Sequence, residues 1–302
     1  MPASPAPRFD LCALGDYCWD VVVATPDELV RGGDTLGSVE LHAGGSAANT
    51  AVWAARCGAA VAFVGMVGDD LLGRMAADDL DREGVVAHLP VSVERPTGAV
   101  ASFVDHTGER SMVTGVGADH LLLPGDVPAE LVAAARHLHL TGWSLFGDPP
   151  RGAAVAGARA AAAAGLTISL DPSAHRLISE MGAEAFVELT AGLAPTVLFP
   201  NRDEGWVLTG EREPEAIAAA LGERYPRSLV VLKLDADGAL VAGHHVPAPK
   251  VDPVDSTGAG DSFAGAFLAH WLRGADPVSA AQAAVDVAAW VVARVGSRPP
   301  GW

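Results

Sequence analysis

From residue 129 to residue 234 the chain alternates helix-like and strand-like runs with a regularity that leaves few architectures open. Helical spacing over 129–135 precedes an apolar run at 137–141. The pattern repeats as 152–164 then 167–171, and 183–191 then 197–200, before helices at 203–209 and 213–224 and a strand at 229–234. Strands joined by helices of this length pair in parallel, and a parallel sheet needs helices on both faces. The alternation starts earlier, with a strand at 11–15, an extended piece at 19–24, a helix running to Arg56 and ending at Gly58, a strand at 61–67 and a helix at 69–83. The expected fold is therefore α/β, a doubly wound and mainly parallel sheet flanked by helices. Two segments break the rhythm. Residues 31–42 have alternating apolar positions between glycines and read as a short surface hairpin. Residues 91–114 offer strands at 99–104 and 110–114 around a turn at 105–109. Both predict a small β lid over the carboxyl edge of the sheet, where such folds bind ligands. The core is then 8–30, 43–90 and 115–302, and the lid 31–42 and 91–114.

The richest chemistry lies in Asp255-Ser256-Thr257-Gly258-Ala259-Gly260-Asp261-Ser262. Apolar strands precede this turn, and 263–272 continues it with helical spacing. At a helix start the N–H groups lack intrahelical partners and the dipole is positive, so an anion is favoured there. Gly258 and Gly260 let the backbone come close to it. Asp261, in the first turn, stands where it can take a proton. A nest of N–H groups beside a carboxylate suits phosphoryl transfer to an alcohol. Taken alone, the same residues are equally an ordinary capped helix.

Composition narrows the function classes. The net charge is −17, and Lys233 and Lys250 are the only lysines, which argues against broad nucleic-acid or anionic-membrane binding and for a small-molecule substrate. Cys12, Cys18 and Cys57 are odd in number and lack metal-ligand spacing, as expected of free thiols in a reducing compartment. Residues 1–10 have no apolar segment of the signal-peptide kind, and the apolar run at 287–295 is too short to span a bilayer. A cytoplasmic location is the expectation. No Gly-x-x-x-x-Gly-Lys-Ser/Thr run and no Rossmann glycine triplet is present, and none of the ten histidines forms a convincing metal pair.

Three separated motifs resemble the ribokinase-like, or PfkB-type, carbohydrate kinases. They are Gly44-Gly45-Ser46-Ala47-Ala48-Asn49-Thr50-Ala51 with Phe63-Val64-Gly65-Met66-Val67-Gly68-Asp69-Asp70, then Asn201-Arg202-Asp203-Glu204, then residues 255–263. The likeness runs from about Asp10 to Gly296 in the family's order. It implies ATP-dependent phosphorylation of a hydroxyl on a small sugar or sugar-like substrate, with Asp261 as base and the Gly258–Asp261 turn, including the N–H of Ala259 and Gly260, as anion hole. The helix N-terminus favours the carboxylate form, so Asp261 needs no raised pKa.

The remaining site residues follow from that resemblance. Asp16, Gly44, Gly45, Asn49 and Gly142 are expected against the sugar, with Arg110 on the lid as the candidate for a substrate carboxylate or phosphate. Asn201, Lys233 and Gly238, with Gly258 and Gly260, are expected at the nucleotide, and Glu204 near Mg²⁺ through water. Asp255 is the candidate for a monovalent cation such as K⁺. The chain departs from the pattern at Asp235, where relatives often have glycine, at Thr141-Gly142-Trp143, where ribokinases carry a glutamate, and at Asp171-Pro172-Ser173, which lacks the Asn of sugar-acid kinases. A nucleoside stacked on Trp143 or Phe103, a 2-keto-3-deoxy sugar acid, and a catalytically idle sugar-binding regulator are the alternatives. Homodimers paired through the lid are a further expectation.

Overall fold

The computed structural model describes residues 7–104 and 110–302, the side chain of Arg110 excepted. The expected turn at 105–109 lies outside the described residues. In chain order the strands are β1 Phe9–Leu14, β2 Cys18–Ala24, β3 Ser38–Gly44, β4 Val61–Val64, β5 Val67–Gly68, β6 Val85–His88, β7 Val91–Ser92, β8 Gly98–Val104, β9 Arg110–Thr114, β10 Ala135–Thr141, β11 Thr167–Asp171, β12 Val197–Leu198, β13 Leu229–Lys233, β14 Ala239–Val241 and β15 His244–Val246. Nine of them form one sheet in the order β15-β14-β13-β12-β11-β10-β1-β4-β6. All its pairs are parallel except β13–β14 and β14–β15. The central strands are almost wholly apolar, because both faces are covered. One face packs on the helices Ser46–Arg56, Ala259–Leu272 and Pro277–Val292, with Trp53, Phe63 and Phe267 at its centre. The other buries Leu138, Leu140, Phe186 and Leu198. Full burial of one such side chain contributes roughly 1.5–3 kcal/mol.

The chain winds outward from β1 in both directions, so the sheet has a switch point between β1 and β10. Neighbouring crossovers diverge there and leave a crevice at the strands' carboxyl ends. Asp16 follows β1 at that edge, and Thr141 ends β10.

The small sheet has the order β3-β2-β8-β9. This corrects two expectations. Residues 31–42 make no hairpin of their own: β3 pairs antiparallel with β2. The extended piece placed in the core, 19–24, is instead a central strand of the lid, held by β3 on one side and by β8, in parallel, on the other. The register explains why. Val21 and Val23 align with Leu41 and Val39 and with Ala101 and Phe103, one apolar face, while Cys18, Asp20 and Val22 alternate onto the other.

Two helices of the first face meet almost backbone to backbone. A Cβ on Gly265 would stand 2.5 Å from the Thr50 carbonyl oxygen and 2.8 Å from Cβ of Trp53. That approach brings Asn49, one turn into the Ser46–Arg56 helix, against Asp261 at the start of the Ala259–Leu272 helix.

Candidate active site

A cavity of about 380 Å³ opens at the switch point, under the lid. Its lining draws on all three motifs, with Gly45 and Asn49 from the first, Asn201 and Glu204 from the second and Gly258, Gly260 and Asp261 from the third, and on Asp16 after β1. Lys233 joins them from the end of β13.

The helix Ala259–Leu272 starts from Gly258, whose φ of 74° is left-handed. A Cβ there would also lie 2.5 Å from that of Ser297, so only glycine fits the turn. Ser262 N–H donates to the Gly258 carbonyl at 2.8 Å, and Ala259 N–H donates to the Ser256 carbonyl at 3.2 Å. The expected anion hole is therefore narrower: the tight turn consumes the Ala259 donor. Gly260 and Asp261 keep N–H groups that no acceptor takes among the described residues, as a helix start requires. A Cβ on Gly260 would come 3.1 Å from Lys233 Nζ, so the turn and the lysine are direct neighbours.

Asp261 lies at the base of the cavity. Its Oδ2 accepts a hydrogen bond from Asn49 Nδ2 at 2.8 Å. Burial pushes its pKa up to about 7; the Asn49 bond opposes that rise, Asp171 adds to it, and Lys233 opposes it. The expectation of an unshifted Asp261 is corrected, because desolvation outweighs the helix dipole.

Asn201 and Glu204 form a reciprocal cap on the helix Arg202–Thr209. Glu204 N–H donates to Asn201 Oδ1 at 2.8 Å, and Asn201 N–H and Nδ2 donate to the two Glu204 oxygens at 2.9 and 3.0 Å. Yet Glu204 is fully buried. Burial raises its pKa to about 7 against the pull of Lys233. Lys233 Nζ donates to Asp171 Oδ2 at 2.5 Å. Burial works against the ammonium, but the Asp171 and Glu204 carboxylates outweigh it and hold its pKa above the usual range. Asp235 is exposed, with a φ of 53°. The left-handed backbone accounts for the glycine expected there, and aspartate tolerates it while its carboxylate faces solvent.

In the first motif, Gly45 has a φ of 92°, and a Cβ on it would strike the Asp16 carbonyl at 2.6 Å. Asp16 Oδ2 and Oδ1 accept from Ser46 N–H at 2.7 Å and Ala47 N–H at 3.2 Å, so this carboxylate caps the Ser46–Arg56 helix while lining the cavity. Gly44, Gly142, Gly238, Ala259 and Asp255 lie outside the lining. Gly142 is a packing position: a Cβ there would collide with the Pro172 carbonyl oxygen. Gly238 turns the chain between β13 and β14. Asp255 accepts from Thr257 N–H at 2.8 Å and Gly296 N–H at 2.9 Å, tying the turn to the chain's last segment. The side chain of Arg110 lies outside the described residues. Trp143 lines the cavity, whereas Phe103 is on the outward face of the lid.

Three lining carboxylates escape sequence reasoning. Asp171 neutralises Lys233 from the end of β11. Asp20 enters from the lid and packs on Gly44, with burial raising its pKa to about 6 against Arg298 and His42. Asp119 stands beside Gly98 and Gly117, with its Oδ1 buried and without a hydrogen-bond partner among the described residues. Burial and the Asp16 charge push its pKa up to about 7. The alternation of β2 was the available signal for Asp20. Asp119 sits on a short 3₁₀ turn with no periodicity to flag it. Buried His137 and His139 bond to Thr167 and Ser169 under the sheet, in line with a structural role.

The pfkB family carbohydrate kinase model matches residues 8–302. An ATP-dependent ribose-1-phosphate kinase from Halopiger xanaduensis is 34% identical over 293 residues, 95% of this chain and 93% of that protein. The adenosine kinase of Sinorhizobium meliloti superposes with a TM-score of 0.87 at 26% identity, over 97% of both chains. An Escherichia coli protein described as a putative ribokinase II in complex with ATP and Mg²⁺ shares the fold with a TM-score of 0.81 at 24% identity, over 95% of this chain and 94% of that one.

Proposed function

The chain belongs to the pfkB family of carbohydrate kinases and is an ATP-dependent carbohydrate kinase, and we propose that it phosphorylates a hydroxyl of an uncharged, polyhydroxylated substrate, a neutral sugar or a nucleoside, with Asp261 as base. The observation that carries the substrate class is the charge of the cavity. Asp16, Asp20, Asp119, Asp171, Glu204 and Asp261 line it. Among the described lining residues the one lysine, Lys233, is already paired with Asp171. A substrate carboxylate or phosphate placed among them would meet repulsion in a poorly screened site. Hydroxyl groups, in contrast, supply the donors that acceptor-only carboxylates lack. Asp119 Oδ1, without a partner among the described residues, is one such acceptor.

In this reading the substrate hydroxyl lies beside Asp261, in line with the γ-phosphate of ATP. As the new oxygen–phosphorus bond forms and ADP departs, Asp261 Oδ1 or Oδ2 takes the hydroxyl proton. A base with a pKa near 7 is ionised often enough to act at neutrality and basic enough to accept. The N–H groups of Gly260 and Asp261, with Gly258, face the charge on the transferred group, and Lys233 adds its ammonium beside them.

No cluster of three or more metal-ligating side chains exists among the described residues. The buried Glu204 carboxylate at the cavity edge still fits Mg²⁺, which is commonly held by one or two carboxylates, waters and substrate phosphates. Mg²⁺ there would offset charge on the triphosphate. Asp255 as the anchor of K⁺ belongs to the same reading, and turnover in potassium against a bulky organic cation tests it. The outward face of the lid, with Val39, Leu41 and Val113 exposed, supports pairing of two copies through their lids.

An ADP-release screen decides the substrate class. Fructose, ribose and adenosine should exceed ribose-1-phosphate and 2-keto-3-deoxygluconate in kcat/KM by about tenfold or more, the cost of roughly 1.4 kcal/mol of repulsion. A preference for either anion would overturn the proposal.

A further inference from the structure

The chain's last residues are built into the active site. Gly296 N–H reaches Asp255, Ser297 Oγ donates to the Ala43 carbonyl at 3.0 Å, and the Ser297 carbonyl accepts from Trp53 Nε1 at 2.9 Å. Arg56 Nη1 holds the Pro299 carbonyl at 2.8 Å. Between these anchors Arg298 turns inward, its side chain only 4% exposed. Its donors are spread over three partners. Nη1 meets Asp79 Oδ2 at 2.7 Å, Nη2 meets the Gly44 carbonyl at 2.9 Å, and Nε meets Asn49 Oδ1 at 2.6 Å. The guanidinium also lies 5.4 Å from the centre of the Tyr17 ring, and Tyr17 OH donates to the same Asp79 oxygen at 3.0 Å.

We propose that Arg298 is a positioning residue for phosphoryl transfer, fixing the Asn49 amide so that its nitrogen faces Asp261. Guanidinium has only donors, so the Asn49 atom at 2.6 Å must be the oxygen. Ser297 Oγ lies 3.2 Å from the same oxygen and shares its single proton between it and the Ala43 carbonyl. The amide nitrogen is thereby turned to Asp261 Oδ2, at 2.8 Å. An amide free to flip would present its oxygen to the carboxylate in half of its orientations, a repulsive contact. The locked orientation aims one N–H at the base and leaves the second for a substrate hydroxyl.

The inference rests on Asp261 being the base. The groups facing Asp261 are Asn49, Asp171 on β11, Lys233 on β13 and Asp16 after β1. Of these, Asn49 is the one whose orientation Arg298 sets. Its hydrogen bond favours the carboxylate, so weakening it raises the Asp261 pKa and moves the rising limb of the pH–rate profile to higher pH.

Arg298→Lys isolates the effect. A lysine can still place a cation at Asp79 and the Gly44 carbonyl, but it carries a methylene where arginine has Nε–H. The expected result is a kcat lower by about ten- to a hundredfold, the range of a charge-assisted hydrogen bond. The acidic limb of the profile should move up in pH, with KM for ATP unchanged. Ser297→Ala, which removes the other donor to Asn49 Oδ1 without disturbing a charge, should move the limb in the same direction by less. An unchanged limb in a folded Arg298→Lys enzyme refutes the proposal. If that variant does not fold, an unchanged limb in Ser297→Ala refutes it. Should Asp261→Asn itself retain turnover, the reading of the base is wrong; an inactive Asp261→Asn beside a normal Arg298→Lys removes only the role of Arg298.

Discussion

Asp261→Asn separates the two things this carboxylate does. The amide has nearly the same shape, and its oxygen can still accept from Asn49 Nδ2, so packing at the turn survives. What it cannot do is accept the hydroxyl proton. General-base catalysis is worth typically 10²–10⁴ in rate, or about 3–5 kcal/mol of barrier. The variant should therefore lose that factor in kcat while binding ATP as before, measured by coupled ADP release and by ATP titration. The same change should also stabilise the fold. Asp261 titrates near 7 in the folded chain, raised from 3.8, chiefly by burial. A raised pKa means that the folded state binds the proton more tightly. The carboxyl's favourable contribution is complete below about pH 4 and is lost as pH rises through 7. Roughly 3 pH units at about 1.4 kcal/mol each put the penalty at pH 8 near 4 kcal/mol, as an upper bound. Urea midpoints should thus nearly coincide for the two proteins at pH 3.5, with the variant higher at pH 8. A kcat within tenfold of the parent would refute the base assignment. Equal midpoints at pH 8 would refute the claim that desolvation, not the helix dipole, governs this carboxylate.

Two further substitutions probe the frame around it. Lys233→Met leaves Asp171 and Glu204 buried without their cation, and should destabilise by about 3–5 kcal/mol at pH 8, with a smaller loss at pH 5.5 in urea unfolding because Glu204 is then protonated. Gly265→Ala drives a methyl into the Thr50 carbonyl and Trp53, and should cost about 1–3 kcal/mol. Because the Ser46–Arg56 and Ala259–Leu272 helices would separate, kcat should fall as well; calorimetry and turnover on one sample check both.

Much of the fold was legible because its signals are local. The strands at 167–171 and 229–233 and the helices at 183–191 and 214–224 are written in periodicity, and the structure places them within a residue or so of expectation. Periodicity is faint where an element is mostly small and apolar or very short. The helix Pro277–Val292 is largely alanine and valine, and only Ser279, Gln282 and Asp286 mark its exposed side. The helix His175–Met181 has only seven residues. The assignment of β2 failed for another reason: its alternation fits either sheet, and only its partners decide which one it joins.

At the site, sequence alone determined which chemistry is available: a glycine turn opening a helix, with an acid in its first turn, and an Asn-x-x-Glu segment after a strand. These are properties of neighbours in the chain. Tertiary structure decided what each group is worth. Asp261 acquires a pKa near 7 because residues from β11, β13 and the Ser46–Arg56 helix enclose it and remove water. Ala259 drops out of the expected anion hole because the turn uses its N–H. Arg298, in a segment with no readable motif, reaches the centre because the chain folds back across the Ser46–Arg56 helix and buries it. Desolvation and contacts between distant parts of the chain depend on what surrounds a residue in space, and no local pattern encodes that.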